Sequence, residues 1–377
     1  MKIIFLCGSM EPGRDGVGDY IRRLAGALNQ QGHQTGVLAF SDNHAVEISD
    51  SSQYEDGVAI PVVRLPAKVP IKKRMELSKE WIRVFEPDWI SLQFVPFAFH
   101  PKGLAFGLSR HLTRLGKNHK WHIMFHELWV GMDKESGAKF AWWGWLQQKL
   151  IHSITTKLQP ALIHTQTKLY QSQLSKMGFE ARYLPLCSNI PNTSVPGIDH
   201  NTKEPVETGF KNISFVIFGG VHPGAPAESF ARDAALFAMD KNIQITLTIV
   251  GRCGQEQNRW ANIWKARGLP VQLLGEQSTQ RISEVLSAST IGISTTPIEL
   301  AEKSGSVAAM QSHGLPVICV SHPWEPRNMP NPAVPPGVIE YQDGNFATCI
   351  LQKPAYPYNN TLQQVSGILS QSLLAAS

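Results

Sequence analysis

The chain has 377 residues, 42% of them hydrophobic and 17% charged, enough to bury two cores, so two domains are expected. Its 35 Lys and Arg against 30 Asp and Glu leave a net charge of +5, which suits anionic ligands and, with no accompanying recognition motif, argues against nucleic acid. Five scattered cysteines (Cys7, Cys187, Cys253, Cys319, Cys349) form no CxxC pair, which argues against a zinc or dithiol centre and for a reducing, cytoplasmic setting.

The opening Met1–Gly8 is too short for a signal peptide or a membrane span and reads as a buried strand over residues 2–7. A helix follows from Gly16 to Gln31, with Gly32 as its stop, and then a strand from Gln34 to Phe40. Further strands are predicted at Val62–Leu65, Trp89–Phe94, Trp121–His126 and Ala161–Gln166. Helices are predicted at Ile71–Phe85, Leu104–Leu115, Ala138–Lys157 and Leu169–Met177. Continuous apolar strands separated by amphipathic helices imply a parallel sheet covered on both faces. Cys7 and Cys319 lie at the ends of apolar runs and read as buried free thiols.

From Ser188 the chain turns rich in Pro, Asn, Thr and Gly, and residues 188–211 read as a linker after a first domain of residues 1–187. A second alternation fills residues 212–355. Its strands are Ile213–Phe218, Ile243–Val250, Val271–Leu274, Ile291–Thr295 and Leu315–Val320. Its helices are Ala227–Met239, Gln255–Arg267 and Ile282–Ser289, and the tail 356–377 is helical over Thr361–Leu374. Two doubly wound domains place ligands beyond the carboxyl ends of their strands, in a cleft.

Two loops carry chemistry. Gly8 to Tyr20 is a glycine-rich strand-to-helix turn, in which bare amides at Gly16, Val17 and Gly18 could hold a phosphate or an acceptor; a plain tight turn is the alternative. Glu302 to Ile318 reads as a turn, a short helix opening at Ser304–Gly305, a stop at Gly314 and a buried strand. The first-turn amides of Ser304, Gly305 and Ser306 and the Lys303 ammonium suit a diphosphate. The alternatives are a solvated Lys303 and a Glu302 that only stabilises the helix dipole. His126, at a strand end, can bond a sugar hydroxyl or shuttle a proton, or be a satisfied structural histidine.

The run Gly8–Tyr20 with Leu24-Ala25 and Gly32-His33, followed in order by Leu92-Gln93-Phe94, Phe125-His126-Glu127, His164-Thr165-Gln166-Thr167, Tyr183-Leu184-Pro185-Leu186, Phe218-Gly219-Gly220, Ile249-Val250-Gly251, Leu273-Leu274-Gly275 and Glu302–Ile318, resembles family-4-like glycosyltransferases. The resemblance spans nearly the whole chain, and the order of these loose motifs carries it. It implies the GT-B fold, in which two Rossmann-like doubly wound domains face a central cleft and the C-terminal helix packs back on the first domain.

By the resemblance, Gly16, Val17, Gly18 and Gln93 line the acceptor side, and His126 and Glu302 lie near the reacting sugar. Gly219, Gly220, His222, Gly251, Arg252, Lys303, Ser304, Gly305 and Ser306 are the corresponding donor residues. The implied activity is retaining transfer of a sugar from a nucleotide-diphosphate sugar, a co-substrate, to a glycan, lipid or small-molecule acceptor, with no separate cofactor. No Asp-x-Asp pair is present to hold a divalent ion, so no metal is expected and the leaving diphosphate would be stabilised by amides and Lys303.

Two positions depart from the family. Its second glutamate, eight residues after the first, falls on Met310 when counted from Glu302 and on Ala309 when counted back from Gly314-Leu315-Pro316. Its Arg and Lys after the first donor-domain strand are replaced by Gly219-Gly220-Val221-His222, where His222 and Lys303 could compensate. A non-catalytic nucleotide-sugar or glycan binding protein and a sugar-nucleotide epimerase are therefore carried as alternatives. Two patches, Ile71–Met75 with Trp81–Phe85 and Phe140–Leu146, could meet a membrane surface or an extended acceptor, or be solvated faces over core packing.

Overall fold

The computed structural model describes residues 1–192, 212–351, 358 and 360–376. The chain forms two compact units, each taken by itself: Met1–Pro185 with Pro326–Met329 and Leu362–Ser377, and Leu186–Glu325 with Pro330–Thr361.

The first unit opens with β1 (Lys2–Cys7), α1 (Gly16–Gln30), β2 (Gln34–Asp42), β3 (Ser49–Glu55), β4 (Val58–Pro66), α2 (Ile71–Phe85) and β5 (Trp89–Phe94). It continues with α3 (Pro96–Phe99), α4 (Leu108–Leu115), β6 (Lys120–Phe125), α5 (Ala138–Leu158), β7 (Leu162–Thr165), α6 (Lys168–Lys176) and β8 (Arg182–Tyr183). The sheet order is β3-β4-β2-β1-β5-β6-β7-β8. All pairings are parallel except β3 with β4. Ile3 to Cys7 are all buried, as a central strand covered on both faces requires. On α1, Tyr20, Leu24 and Leu28 recur every fourth residue and are buried, each such side chain contributing about 1.5–3 kcal/mol of transfer free energy.

The hairpin of β3 and β4 extends the single short strand expected there. Its turn is Asp56-Gly57, with φ of 47° and 78°, the two-residue geometry that matches strand twist. The helix expected from Leu104 starts only at Leu108, because Gly107 precedes it in the left-handed region at φ 83°.

The second unit contains β9 (Asn212–Phe218), α7 (Ala227–Lys241), β10 (Gln244–Val250), α8 (Glu256–Ala266), β11 (Val271–Gly275), α9 (Thr279–Ala288) and β12 (Ile291–Ser294). A 3₁₀ turn (Ile298–Lys303), α10 (Gly305–Ser312), β13 (Val317–Cys319), β14 (Val338–Glu340) and α11 (Phe346–Leu351) follow. The order β11-β10-β9-β12-β13-β14 is parallel throughout. Phe215, Phe230, Trp260 and Trp264 fill one side of it. β14 and α11 were not expected from the sequence.

Residues 193–211 of the expected linker lie outside the described residues, whereas Leu186–Asn192 belongs to the second unit and Ile190 is buried in its core. The chain enters the first unit twice more. Arg327 donates its backbone N–H to Met132 O at 2.7 Å and its Nη2 to the carbonyls of Asp133, Lys134 and Ser136 at 3.2, 3.1 and 2.6 Å. Helix α12 (Leu362–Ala375) packs on α1, where Ser366 Oγ accepts from Gln31 Nε2 and Ser370 Oγ meets His33 Nε2, both at 2.7 Å.

Candidate functional site

In the second sheet the strand order reverses between β9 and β12, so the loops after their carboxyl ends flank the crevice where open α/β sheets take ligands. The loop after β9 begins at Gly219, with φ 80°. A Cβ on Gly219 would lie 2.5 Å from Ser306 Oγ in the first turn of α10, and one on Gly251, after β10, would lie 3.3 Å from Gly219 N. The lack of a Cβ on Gly219 and Gly251, both at positive φ, lets these three segments pack closely. Gly219 N–H donates to Val250 O, and Val221 N–H donates to Cys253 O. Thr295, after β12, accepts from His222 N–H at 2.8 Å.

Gly219, Gly220, His222, Gly251 and Ser306 thus come together at the strand ends. His222 is held below the usual histidine range first by burial, then by the neighbouring His322 and by Lys303. A Cβ on Gly224 would lie 3.4 Å from His322 Cβ, an ordinary contact, and His322 Nδ1 is buried without a partner among the described residues. Thr295 and His322 were missed from the sequence; both stand just past strand ends, as do Gly219 and Gly251, which the family resemblance pointed to.

Glu302 and Lys303 end the 3₁₀ turn half-buried. Ser304 caps α10, its Oγ accepting from Val307 N–H at 3.4 Å. The expectation of three bare amides is corrected at Ser304, whose N–H donates to Ala301 O at 3.0 Å; Gly305 and Ser306 remain as first-turn amides. Arg252, next to Gly251, is engaged in an exposed ion pair with Glu276 at 3.0 Å. Ala309 and Met310, the two places for a second glutamate, are both fully buried in the core of the unit, so neither position presents a side chain to a ligand.

In the first unit the amides of Val17 and Gly18 are not bare either. The Asp15 carboxylate accepts from both, at 2.9 and 3.3 Å, and caps α1. Burial raises the Asp15 pKa and those two N–H groups oppose the rise. A phosphate could reach these amides only by displacing that carboxylate. Gly16, at the head of α1, is exposed. Next to this loop, buried Asp42 accepts from Ser9 Oγ, Met10 N–H and Arg64 Nε, and so fixes the start of the loop after β1.

His126 and Gln93 are brought together. His126 is buried, its Nε2 lies 2.8 Å from Gln93 Oε1, and Tyr20 stands edge-on at 5.3 Å. From Gln93 a buried chain runs across three strands: Gln93 Nε2 donates to Ser91 Oγ at 2.7 Å, Ser91 Oγ meets His122 Nδ1 at 2.7 Å, and His122 Nε2 meets His164 Nδ1 at 3.0 Å. One choice of tautomers lets every contact run in the same direction. His126 donates to Gln93, Gln93 to Ser91, Ser91 to His122 and His122 to His164, whose Nε2 is then a buried donor without a partner among the described residues. Burial lowers the His126 and His164 pKa values to about 4, and burial, then the neighbouring His164 and His126, hold His122 well below the usual histidine range. All three imidazoles are neutral at neutral pH.

The first unit also holds a cavity of about 320 Å³ beyond the end of β2, lined by Phe40, Phe99, Leu104, Phe106 and His111 with Arg74. The Arg74 guanidinium lies 5.2 Å from the Phe40 ring centroid and donates to Phe40 O and Val69 O. Among the described residues no helix is long and apolar enough to cross a membrane.

No protein-family model matches the chain, and no curated protein matches it. Solved structures do. HepE of Anabaena, crystallised with UDP and glucose, is 15% identical with a TM-score of 0.58, covering 100% of both chains. The UDP-GlcNAc 2-epimerase of Neisseria meningitidis, bound to UDP-GlcNAc, is 11% identical at a TM-score of 0.56, again over 100% of both. The catalytic domain of starch synthase IV from Arabidopsis thaliana, bound to ADP and acarbose, is 11% identical at 0.56, covering 100% of this chain and 98% of that one. At these identities the likeness is one of fold: the two Rossmann-like units make a GT-B protein.

Proposed function

We propose that this protein is a family-4-like glycosyltransferase that moves a sugar from a nucleotide-diphosphate sugar to an acceptor. The observation that carries this reading is the convergence of Gly219, Gly251 and Ser306 at the strand-order reversal of the second sheet, where the His222 N–H is fixed on Thr295. Backbone amides, a helix N-terminus and a lysine at such a place stabilise the charge that develops on a leaving diphosphate. Lys303 and the Gly305 and Ser306 amides would take the diphosphate, His222 and His322 would donate further hydrogen bonds to it, and Glu302 would orient a sugar hydroxyl. The mechanism would be retaining and metal-independent, and the acceptor would be bound by the first unit. The cavity around Arg74 would suit an acceptor that is partly apolar and partly anionic. His126, with Nε2 turned to Gln93, would act by holding that carboxamide as much as by touching a sugar. Five buried cysteines, none in a disulfide, are in keeping with a reducing compartment.

A thermal-shift screen of nucleoside diphosphates and their sugars tests the donor assignment, because a ligand that binds only the folded form raises its midpoint. One nucleotide should raise the midpoint in the native protein, and Lys303→Ala should lose most of that shift and about tenfold or more in turnover. Unchanged kinetics for Lys303→Ala with a verified donor would remove it from the mechanism. Binding without turnover across varied acceptors would favour a binding protein. A second reading, sugar-nucleotide epimerisation, is kept because a 2-epimerase shares this fold at a similar TM-score; an epimerised sugar among the products, with no acceptor consumed, would establish it instead.

A further inference from the structure

We infer that α4, α5 and the loop before α4 form a docking face for an anionic lipid bilayer. Helix α5 buries Gln147, Ile151, Ile154 and Leu158 on one side. On the opposite side, at spacings of three and seven residues, stand Trp142, Trp145 and Lys149. Trp142 is 63% exposed and Trp145 48%. Two indoles on the side of a helix turned away from its core contribute little to that core, and exposed aromatic groups of this kind mark contact surfaces. The Lys149 ammonium lies 5.6 Å from the Trp145 ring centroid. At the start of the helix Phe140, 48% exposed, stacks on Trp143 at 6.3 Å. Trp143 donates its Nε1–H to Lys102 O at 2.8 Å and so ties on the loop that carries Phe106, which is 69% exposed.

Charge selects the occupant. Residues 96–179, which include α4, this loop and α5, contain eleven Lys and Arg against three Asp and Glu, whereas in the rest of the chain acids outnumber bases. Indoles settle at the headgroup level of a bilayer while lysine and arginine meet anionic headgroups, and a helix with both lies on the surface. This face is independent of the donor assignment, since none of its residues belongs to the second unit.

The test is co-sedimentation of the full chain with vesicles of phosphatidylcholine alone or mixed with phosphatidylglycerol, at low and high salt, with tryptophan emission read in parallel. Binding is expected only with phosphatidylglycerol, with a blue shift of emission and release by salt. Trp142→Ala with Trp145→Ala should cut partition about tenfold or more, and Lys149→Glu about fivefold or more. Both variants should keep the native unfolding midpoint and the native nucleotide shift. Absence of binding at low salt, equal binding to neutral vesicles, or undiminished partition of the double tryptophan variant would overturn the inference. So would quenching of tryptophan emission by a soluble glycan without any vesicle binding, which would assign the indoles to an acceptor.

Discussion

Acid should destabilise this protein well before its carboxylates are neutralised, because of the histidines beneath the carboxyl ends of β5, β6 and β7. His126 and His164 have folded pKa values of about 4 against 6.5 when unfolded. As pH falls through 6.5 the unfolded chain takes up protons that the folded chain refuses, so stability is lost from there down to about 4 and changes no further below it. Between neutral pH and about pH 5 each of the two removes about 2 kcal/mol, or about 4 kcal/mol together. That is a large part of the roughly 5–15 kcal/mol that holds a domain folded. His122, His33, His111 and His222 are also lowered and act in the same direction. Asp15 and Glu55, raised by burial, act oppositely, but chiefly nearer the carboxylate range. The assay is urea unfolding from about pH 8 to about pH 5, with the slope of free energy on pH converted to protons taken up. About two protons or more should be taken up on unfolding in the lower half of this range. A flat profile, or stability that rises with acid, would refute the picture of neutral imidazoles shut in a hydrogen-bonded chain.

Gly219→Ala should cost about 1–2 kcal/mol in the unligated protein, because its φ of 80° is unfavourable for an L-residue and its Cβ would press on Ser306 Oγ; loss of the nucleotide thermal shift beyond that cost would tie this contact to the ligand, and an unchanged shift would sever it. Met310→Glu, which places the family's second carboxylate at one of its two candidate positions, should destabilise by about 3 kcal/mol or more, since Met310 is fully buried; a stable variant with tighter nucleotide binding would show that this position can reach ribose. Arg327→Ala should cost about 1–3 kcal/mol in urea unfolding, because three carbonyls lose their guanidinium donor. Arg327→Lys should restore little of it, as one ammonium cannot reproduce the planar fork.

The central strands were legible because burial on both faces leaves runs such as Ile3–Cys7 and Ile213–Phe218 with almost no polar residue. The edge strand β3 hid for the opposite reason: Ser49–Glu55 is mostly exposed and polar, and only Asp56-Gly57 signals its hairpin. The family resemblance pointed to Gly219, His222 and Gly251, and the helix opening at Ser304–Gly305 to Ser306; a doubly wound sheet explains why they meet at its strand ends. The caps did not show. A sequence suggests that a helix N-terminus is open, but Asp15 on Val17 and Gly18, and Ala301 on Ser304, are filled by neighbours whose backbone geometry must be known first. The histidine chain was hidden because its members lie on three strands and meet only through the register that pairs Ser91 with His122 and Met124 with His164. Arg327 carries no motif at all; its role exists only because residues 326–329 rejoin the first unit. What a sequence of this kind conceals is therefore systematic: polar groups satisfied across chain-distant elements leave no periodic trace, and they decide whether a candidate amide or imidazole still has a hydrogen bond to offer a ligand.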